Sequence, residues 1–178
     1  MKKICISLFL IGIIFLTVTL STNSQIKSNN YFRIHIRANS NSVEDQSVKY
    51  KVKEELVKFL TPYIANCQTK SEAVLLINKK RNELTNIANG VLAKNGFNYK
   101  ATVAVENQEF PTRVYENVTL EKGYYDALIV KLGRATGDNW WCVVYPPMCF
   151  TGNESGIIYK SKILEIIQNF KSKKSALY

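Results

Sequence analysis

A chain of 178 residues that is 46% hydrophobic and 21% charged has the composition of a globular protein, which excludes an intrinsically disordered one. Its formal charge of +10 favours contact with anionic surfaces, such as membranes, cell-wall polymers or nucleic acid, without choosing among them. The length predicts one domain of ordinary size once an N-terminal segment is set aside.

The N-terminus has the layout of a secretory signal. Lys2 and Lys3 precede an uncharged apolar run over residues 4–20, and small polar residues follow. The run is also nearly long enough to span a bilayer, so an uncleaved anchor is the alternative to cleavage. We predict a signal peptide or N-terminal anchor over residues 1–24 and a linker over residues 25–30. The protein is therefore expected to be exported, either secreted or anchored through its N-terminus.

The folded domain is predicted to begin with a strand and two helices. Residues 31–38 alternate between apolar and polar side chains, as in a half-exposed strand whose polar face consists of Arg33, His35 and Arg37. Ser42 and Asp45 form a capping-box-like start to an amphipathic helix, which Pro62 is expected to end or kink. A second helix is predicted to begin near Thr69 or Ser71 and to stop at residues 95–96.

The second half of the domain is predicted to be mostly strands. A strand from residue 97 is expected to bend at residues 107–108, and further strands are expected at residues 113–120, 124–132 and 140–145. The single domain ends at residue 150, and residues 151–178 supply an amphipathic helix and a basic tail. This order predicts an α+β fold, with a mostly antiparallel sheet of about four to five strands, two long helices packed on one face and a C-terminal helix.

Few residues offer catalytic chemistry. The only histidine is His35, and the sequence contains no catalytic serine, zinc or phosphate-loop motif. The scattered cysteines form no ligand cluster with it, so neither a metal nor another cofactor is expected. A cysteine nucleophile with His35 as base would require spatial adjacency, which leaves a secreted cysteine-dependent or cell-wall-modifying enzyme as an alternative. A wall- or membrane-surface adhesive module is a third reading, and export argues against a nucleic-acid partner.

Residues 139–150 hold both tryptophans and the only Pro-Pro pair. Trp140 and Trp141 are adjacent on a strand and must point to opposite faces, so either both are buried between layers or one meets a partner. We hypothesise a protein-recognition surface with these candidate residues: Arg37, Asn39, Ser40, Asn139, Trp140, Trp141, Tyr145, Pro146 and Pro147. Cys142 and Cys149 are candidates for a disulfide, with buried free thiols as the alternative.

Three sequence blocks carry a resemblance to a known family. The first is IRANSNSVEDQ at residues 36–46, together with Lys49 and Val52. The second combines FPTRVY at residues 110–115 with GYYDAL at residues 123–128. The third, GDNWWCVVYPPMC at residues 137–149, is highly specific. With these blocks the chain resembles the stage II sporulation protein R family over roughly residues 34–150.

The resemblance implies a role that composition cannot show. Proteins of this family are made in the forespore and exported across the forespore membrane into the intermembrane space. There they activate a membrane-embedded aspartic protease of the mother cell, which then cleaves the pro-sequence of sigma-E. For this chain the resemblance implies a non-enzymatic signalling protein with that protease as its partner and no established active site. Membrane contact is expected only through the N-terminal apolar segment.

Overall fold

A computed structural model describes residues 30–115, 118–150, 164–170 and 172. The predicted signal or anchor, most of the linker and much of the C-terminal tail lie outside these residues. In chain order the elements are β1 (Phe32–Arg37), α1 (Val43–Ile64), α2 (Lys70–Lys94), β2 (Ala101–Phe110), β3 (Arg113–Tyr115), β4 (Val118–Leu120), β5 (Gly123–Leu132), β6 (Asn139–Tyr145), a 3-10 turn (Met148–Phe150) and a helix α3 at residues 164–170.

Four strands form the main sheet, in the order β2-β5-β1-β6. The β1–β5 pair is parallel, and the β2–β5 and β1–β6 pairs are antiparallel. A parallel pair needs a long crossover connection, which the chain between β1 and β5 supplies. The predicted α+β fold with a mostly antiparallel sheet, two long helices and a C-terminal helix is confirmed.

The helices cover one face of the sheet and form the larger core with it. Val52, Leu56 and Leu60 recur at helical spacing on α1 and are fully buried. Ile77 and Leu84 on α2 complete the layer. Each such side chain contributes about 1.5–3 kcal/mol when it leaves water, so this face is the main source of stability.

The helix starts follow their sequence signals closely. The Ser42 hydroxyl accepts a hydrogen bond from the backbone N–H of Asp45, and the Thr69 hydroxyl accepts one from Glu72. Helix α2 ends at Lys94 with Asn95 as its C-cap, at the predicted stop, and Gly96 follows with a positive φ of 81°. Pro62 does not itself end α1, which runs two residues further, to Ile64. A proline this close to the helix end removes only one of the last backbone hydrogen bonds.

Two strand predictions are wrong. The expected bend at residues 107–108 is absent, because both residues stay paired with β5 in one continuous strand β2. The single strand expected over residues 113–120 is two short strands, β3 and β4, paired with each other in a separate antiparallel sheet. Cross-strand pairing, which the alternation pattern does not encode, decides both cases.

The polar side of β1 is not a solvent-exposed face. Arg33 is 0% exposed and His35 is 3% exposed, although both were expected to meet solvent. A second, smaller core that includes Phe110, Leu120 and Tyr125 covers this part of the sheet. Strands β3 and β4 contribute to it, so a segment distant in sequence buries a strand face that looks amphipathic.

The β5–β6 loop lies so close to the turn after β1 that a side chain would not fit at one of its glycines. A Cβ atom on Gly137 would overlap the backbone carbonyl of Ser40. Nothing lies within 4 Å of a Cβ placed on Gly90, which is exposed in the interior of α2. These two glycines therefore form a matched pair.

We predict that Gly137→Ala destabilises the protein by about 3 kcal/mol, because the loop must move away from Ser40. Gly90→Ala should instead stabilise it by up to about 1 kcal/mol, because alanine favours the helix. Urea unfolding of both variants measures the difference. Equal midpoints for Gly137→Ala and the unmodified protein would contradict the close packing described above.

Candidate functional site

A buried carboxylate joins the first sequence block to the segment just before β2. Asp45 is 5% exposed, and its Oδ2 accepts hydrogen bonds from Asn39 Nδ2 at 2.8 Å and from Ser40 Oγ at 2.5 Å. Its Oδ1 accepts one from the Tyr99 hydroxyl at 2.5 Å. Three donors from two separate parts of the chain therefore converge on one charge.

The same turn holds the β5–β6 loop. The backbone carbonyl of Asn39 accepts hydrogen bonds from the N–H and the hydroxyl of Thr136, and its Oδ1 accepts one from the N–H of Arg134. Asn41 Oδ1 accepts another from the N–H of Asp138 at 2.6 Å. The predicted site residues Asn39 and Ser40 are thus used inside the protein, where they position the loop that leads into β6.

Lys49 adds a buried cation to this junction. It is 1% exposed, and its ammonium donates to Gln46 Oε1 at 2.6 Å and to the backbone carbonyl of Asp138 at 3.2 Å. A lysine of an amphipathic helix is ordinarily solvated, but Lys49 lies on the buried side of α1. Burial lowers the pKa of Lys49, and the nearby charge of Asp138 opposes that shift.

On the second face of the sheet, Arg33 is enclosed by aromatic rings. Its guanidinium carbon lies 4.2 Å from the ring centre of Phe110 and 4.8 Å from that of Tyr125. Nη2 donates to the Tyr115 hydroxyl at 2.8 Å, whereas Nε and Nη1 are buried with no hydrogen-bond partner. Cation–π contacts thus replace the carboxylate that usually accompanies a buried arginine.

His35 and Trp141 form the neighbouring part of this face. Their rings stack at 3.8 Å, and the imidazole nitrogens lie 3.0 Å from Gln108 Oε1 and 2.6 Å from Asn139 Oδ1. Burial lowers the pKa of His35, while the hydrogen bonds to Asn139 and Gln108 oppose that shift. Held between the two amides and stacked on Trp141, the imidazole acts here as a packed ring.

The predicted binding residues divide into separate groups. Arg37, Asn139 and Trp141 lie together on the second face of the sheet, whereas Trp140 packs against the helix-side core. At the far end of β6, Tyr145 is buried, and its hydroxyl donates to the backbone carbonyl of Gln68. Pro146 and Pro147, also buried, follow it after a cis peptide bond between Tyr145 and Pro146.

The three cysteines in the described residues offer no activated thiol. Cys142 and Cys149 are joined by a disulfide, with their Cα atoms 6.2 Å apart. Cys67 is free and buried, and burial raises the pKa of its thiol to about 11, which opposes the thiolate form. Within the described residues no group of three metal-ligating side chains occurs, and no helix is long and apolar enough to cross a membrane.

Sequence reasoning missed three features of this region. Arg33 was expected on an exposed polar patch with Arg37, and no buried role was predicted for Lys49 or Tyr99, although each of the three makes a buried polar contact. The alternation of β1 did place Arg33 and His35 on one face. The burial of Arg33 and His35 could have been predicted from the many aromatic residues of the second block, because such side chains need a surface of the sheet to pack against.

We predict that Asp45→Asn lowers the free energy of unfolding by about 2–3 kcal/mol at pH 7, because a charged acceptor of hydrogen bonds is lost. Burial alone would raise the pKa of Asp45, but the hydrogen bonds from Ser40, Tyr99 and Asn39 lower it overall. Because the pKa of Asp45 is lower in the folded state than in the unfolded state, the ionised carboxylate stabilises the fold at pH values above the ordinary carboxyl pKa. That contribution is lost as the pH falls through the folded-state pKa, below about pH 4.

Denaturant unfolding between about pH 7 and pH 2 measures this dependence. The control is Asp138→Asn, which removes an exposed carboxylate from the same junction. An acid-dependent loss of stability that is as steep in Asp45→Asn as in the unmodified protein would contradict this role for Asp45.

Comparison with known proteins identifies the family. The model of the stage II sporulation protein R family matches residues 28–155. Stage II sporulation protein R of Bacillus subtilis (strain 168) is 34% identical over 130 residues, which cover 73% of this chain but only 58% of that relative. No solved structure matches. The resemblance carried by the three sequence blocks is thus confirmed, and the chain belongs to the stage II sporulation protein R family, whose members are sporulation proteins and not a known family of enzymes.

Proposed function

We propose that this chain is an exported signalling protein of endospore formation. In this proposal it crosses the forespore membrane, reaches the intermembrane space and activates a membrane-embedded aspartic protease of the mother cell. That protease then processes pro-sigma-E. The observation that carries the proposal is the family match, which spans β1 to β6 and includes all three sequence blocks.

Two features of the chain support export. Lys2 and Lys3 precede an uncharged apolar run over residues 4–20, which is the pattern of a signal or anchor. Cys142 and Cys149 form a disulfide, and disulfides persist in compartments outside the reducing cytosol. Both features fit a protein that functions between two membranes.

The arrangement of side chains favours a protein that activates a receptor by binding to it over an enzyme. His35 contacts an amide on either side and a tryptophan ring, and none of the three cysteines that the structure describes lies among its partners. A ligand of this kind activates its receptor by binding the active state more tightly than the inactive one. The chain would thereby shift the protease population without taking part in the cleavage.

We predict that processing of pro-sigma-E requires both proteins. The full chain, the candidate receptor protease and pro-sigma-E are produced together in a non-sporulating host, and processing is followed by immunoblot. Hosts that lack the chain, or that carry a protease without its catalytic aspartate, should show none. Absence of processing when all three proteins are present, with the chain exported, would overturn the proposal.

The disulfide provides the test against a cysteine-dependent enzyme. We predict that Cys142→Ala with Cys149→Ala loses about 2–3 kcal/mol of stability, because a short loop is no longer closed in the unfolded state. The folded fraction should still trigger processing. Cys67→Ser, which removes the remaining free thiol of the folded domain, serves as the companion variant. Loss of processing in a variant whose thermal melt shows a folded protein would favour the enzyme instead.

A further inference from the structure

Four side chains form one polar row across the open end of the second sheet face. The strand registers pair Arg37 with Lys131 on one side and with Asn139 on the other, and they pair Lys131 with Thr102. The row therefore crosses all four strands of the sheet. We call these four residues the basic row.

The basic row holds two neighbouring cations without a counterion. Arg37 and Lys131 are direct partners on adjacent strands, where like charges destabilise a sheet. In the described part of the chain neither side chain makes an ion pair, and Arg37 Nε is buried without a hydrogen-bond acceptor. The fold thus keeps an unfavourable pair that an anionic group from outside would neutralise.

The surroundings of the basic row suit a polypeptide. Next to it lies the half-buried ring of Trp141, which stacks on the buried His35 and places an aromatic side chain beside the two charges. Asn139 is exposed and carries an amide that can donate hydrogen bonds. A guanidinium recognises a carboxylate through paired N–H donors, and the lysine adds a point charge beside it.

Arg33, on the same strand as Arg37, is buried and does not belong to the basic row. Arg33 is enclosed by the rings of Phe110 and Tyr125 and is 0% exposed, so no external partner reaches it. Lys131 is exposed and Arg37 partly so. The second face therefore has a closed half, which serves the core, and an open half, which presents charge to solvent.

We propose that the basic row docks an acidic segment of a partner protein, with the carboxylates of that segment between Arg37 and Lys131. This inference rests on the proposed function, in which the partner is the part of the receptor protease that faces the intermembrane space. A membrane surface fits less well. Lipid-binding sites usually gather about four to eight basic residues, and this row holds two.

The test compares two double variants of the full chain. Arg37→Gln with Lys131→Gln removes the charges of the row, and Lys58→Gln with Lys79→Gln removes two exposed charges from the helices as a control of equal net charge. The probes are a short fluorescein-labelled glutamate peptide, its glutamine counterpart and phosphatidylglycerol vesicles. Binding is measured by fluorescence anisotropy and by vesicle sedimentation, and each variant also enters the processing assay.

We expect the row variant to raise the Kd for the glutamate peptide by at least about tenfold and the control by less than about twofold. Processing should fall in the same order. Lys131→Gln alone changes only an exposed side chain and should leave the core intact. We expect it to weaken binding of the glutamate peptide by about threefold. The inference would be overturned if the two double variants bound the peptide equally. It would also be overturned if the row variant lost binding to the vesicles while its binding to the peptide stayed unchanged.

The two proposals fail in different ways. If the unmodified chain does not trigger processing, the proposed function is wrong, whereas the peptide titration still decides whether the basic row binds carboxylates. If the unmodified chain triggers processing and the row variant binds the peptide and acts like the control, only the docking inference is wrong.

Discussion

The buried carboxylate of Asp45 is the constraint on which the rest of the structure depends. It receives hydrogen bonds from Asn39 and Ser40 in the turn after β1 and from Tyr99 just before β2. Each hydrogen bond to a charged group contributes about 1.5–3 kcal/mol, and an unsatisfied buried carboxylate would cost more than any one of them gains. The turn after β1 is therefore held in one geometry.

That geometry carries over to a loop that is distant in sequence. Asn39 and Asn41 bind backbone N–H groups of the β5–β6 loop, and the absence of a Cβ on Gly137 allows the loop to lie against Ser40. The loop leads directly into β6, which carries both tryptophans. The main role of the first sequence block is thus to hold the third block in position through hydrogen bonds.

The second face of the sheet shows how burial and exposure divide the roles of similar residues. Arg33 and Arg37 lie on the same side of the same strand. Aromatic rings cover the first, whereas the second stands beside Lys131 at the open end. The enclosed guanidinium of Arg33 is part of the core, whereas Arg37, which has no counterion among the described residues, forms a charged surface with Lys131. Membership of a sporulation family and this surface are the two observations behind the proposal that the chain acts by contact with another protein.

The sequence by itself determined the elements whose signals are local. Capping by Ser42, the helix end at Asn95 and the opposite directions of Trp140 and Trp141 follow from spacing alone, because they depend on neighbours a few residues away. The family was equally visible in the three blocks. What the sequence left open depended on distant partners. The tertiary structure decided that Arg33 and His35 are buried, that Asn39 and Ser40 face inward, and that Arg37 meets Lys131. Burial and strand register arise from segments more than seventy residues apart, as in the contacts of Arg33 with Tyr115 and of His35 with Gln108. No local pattern encodes contacts over that separation.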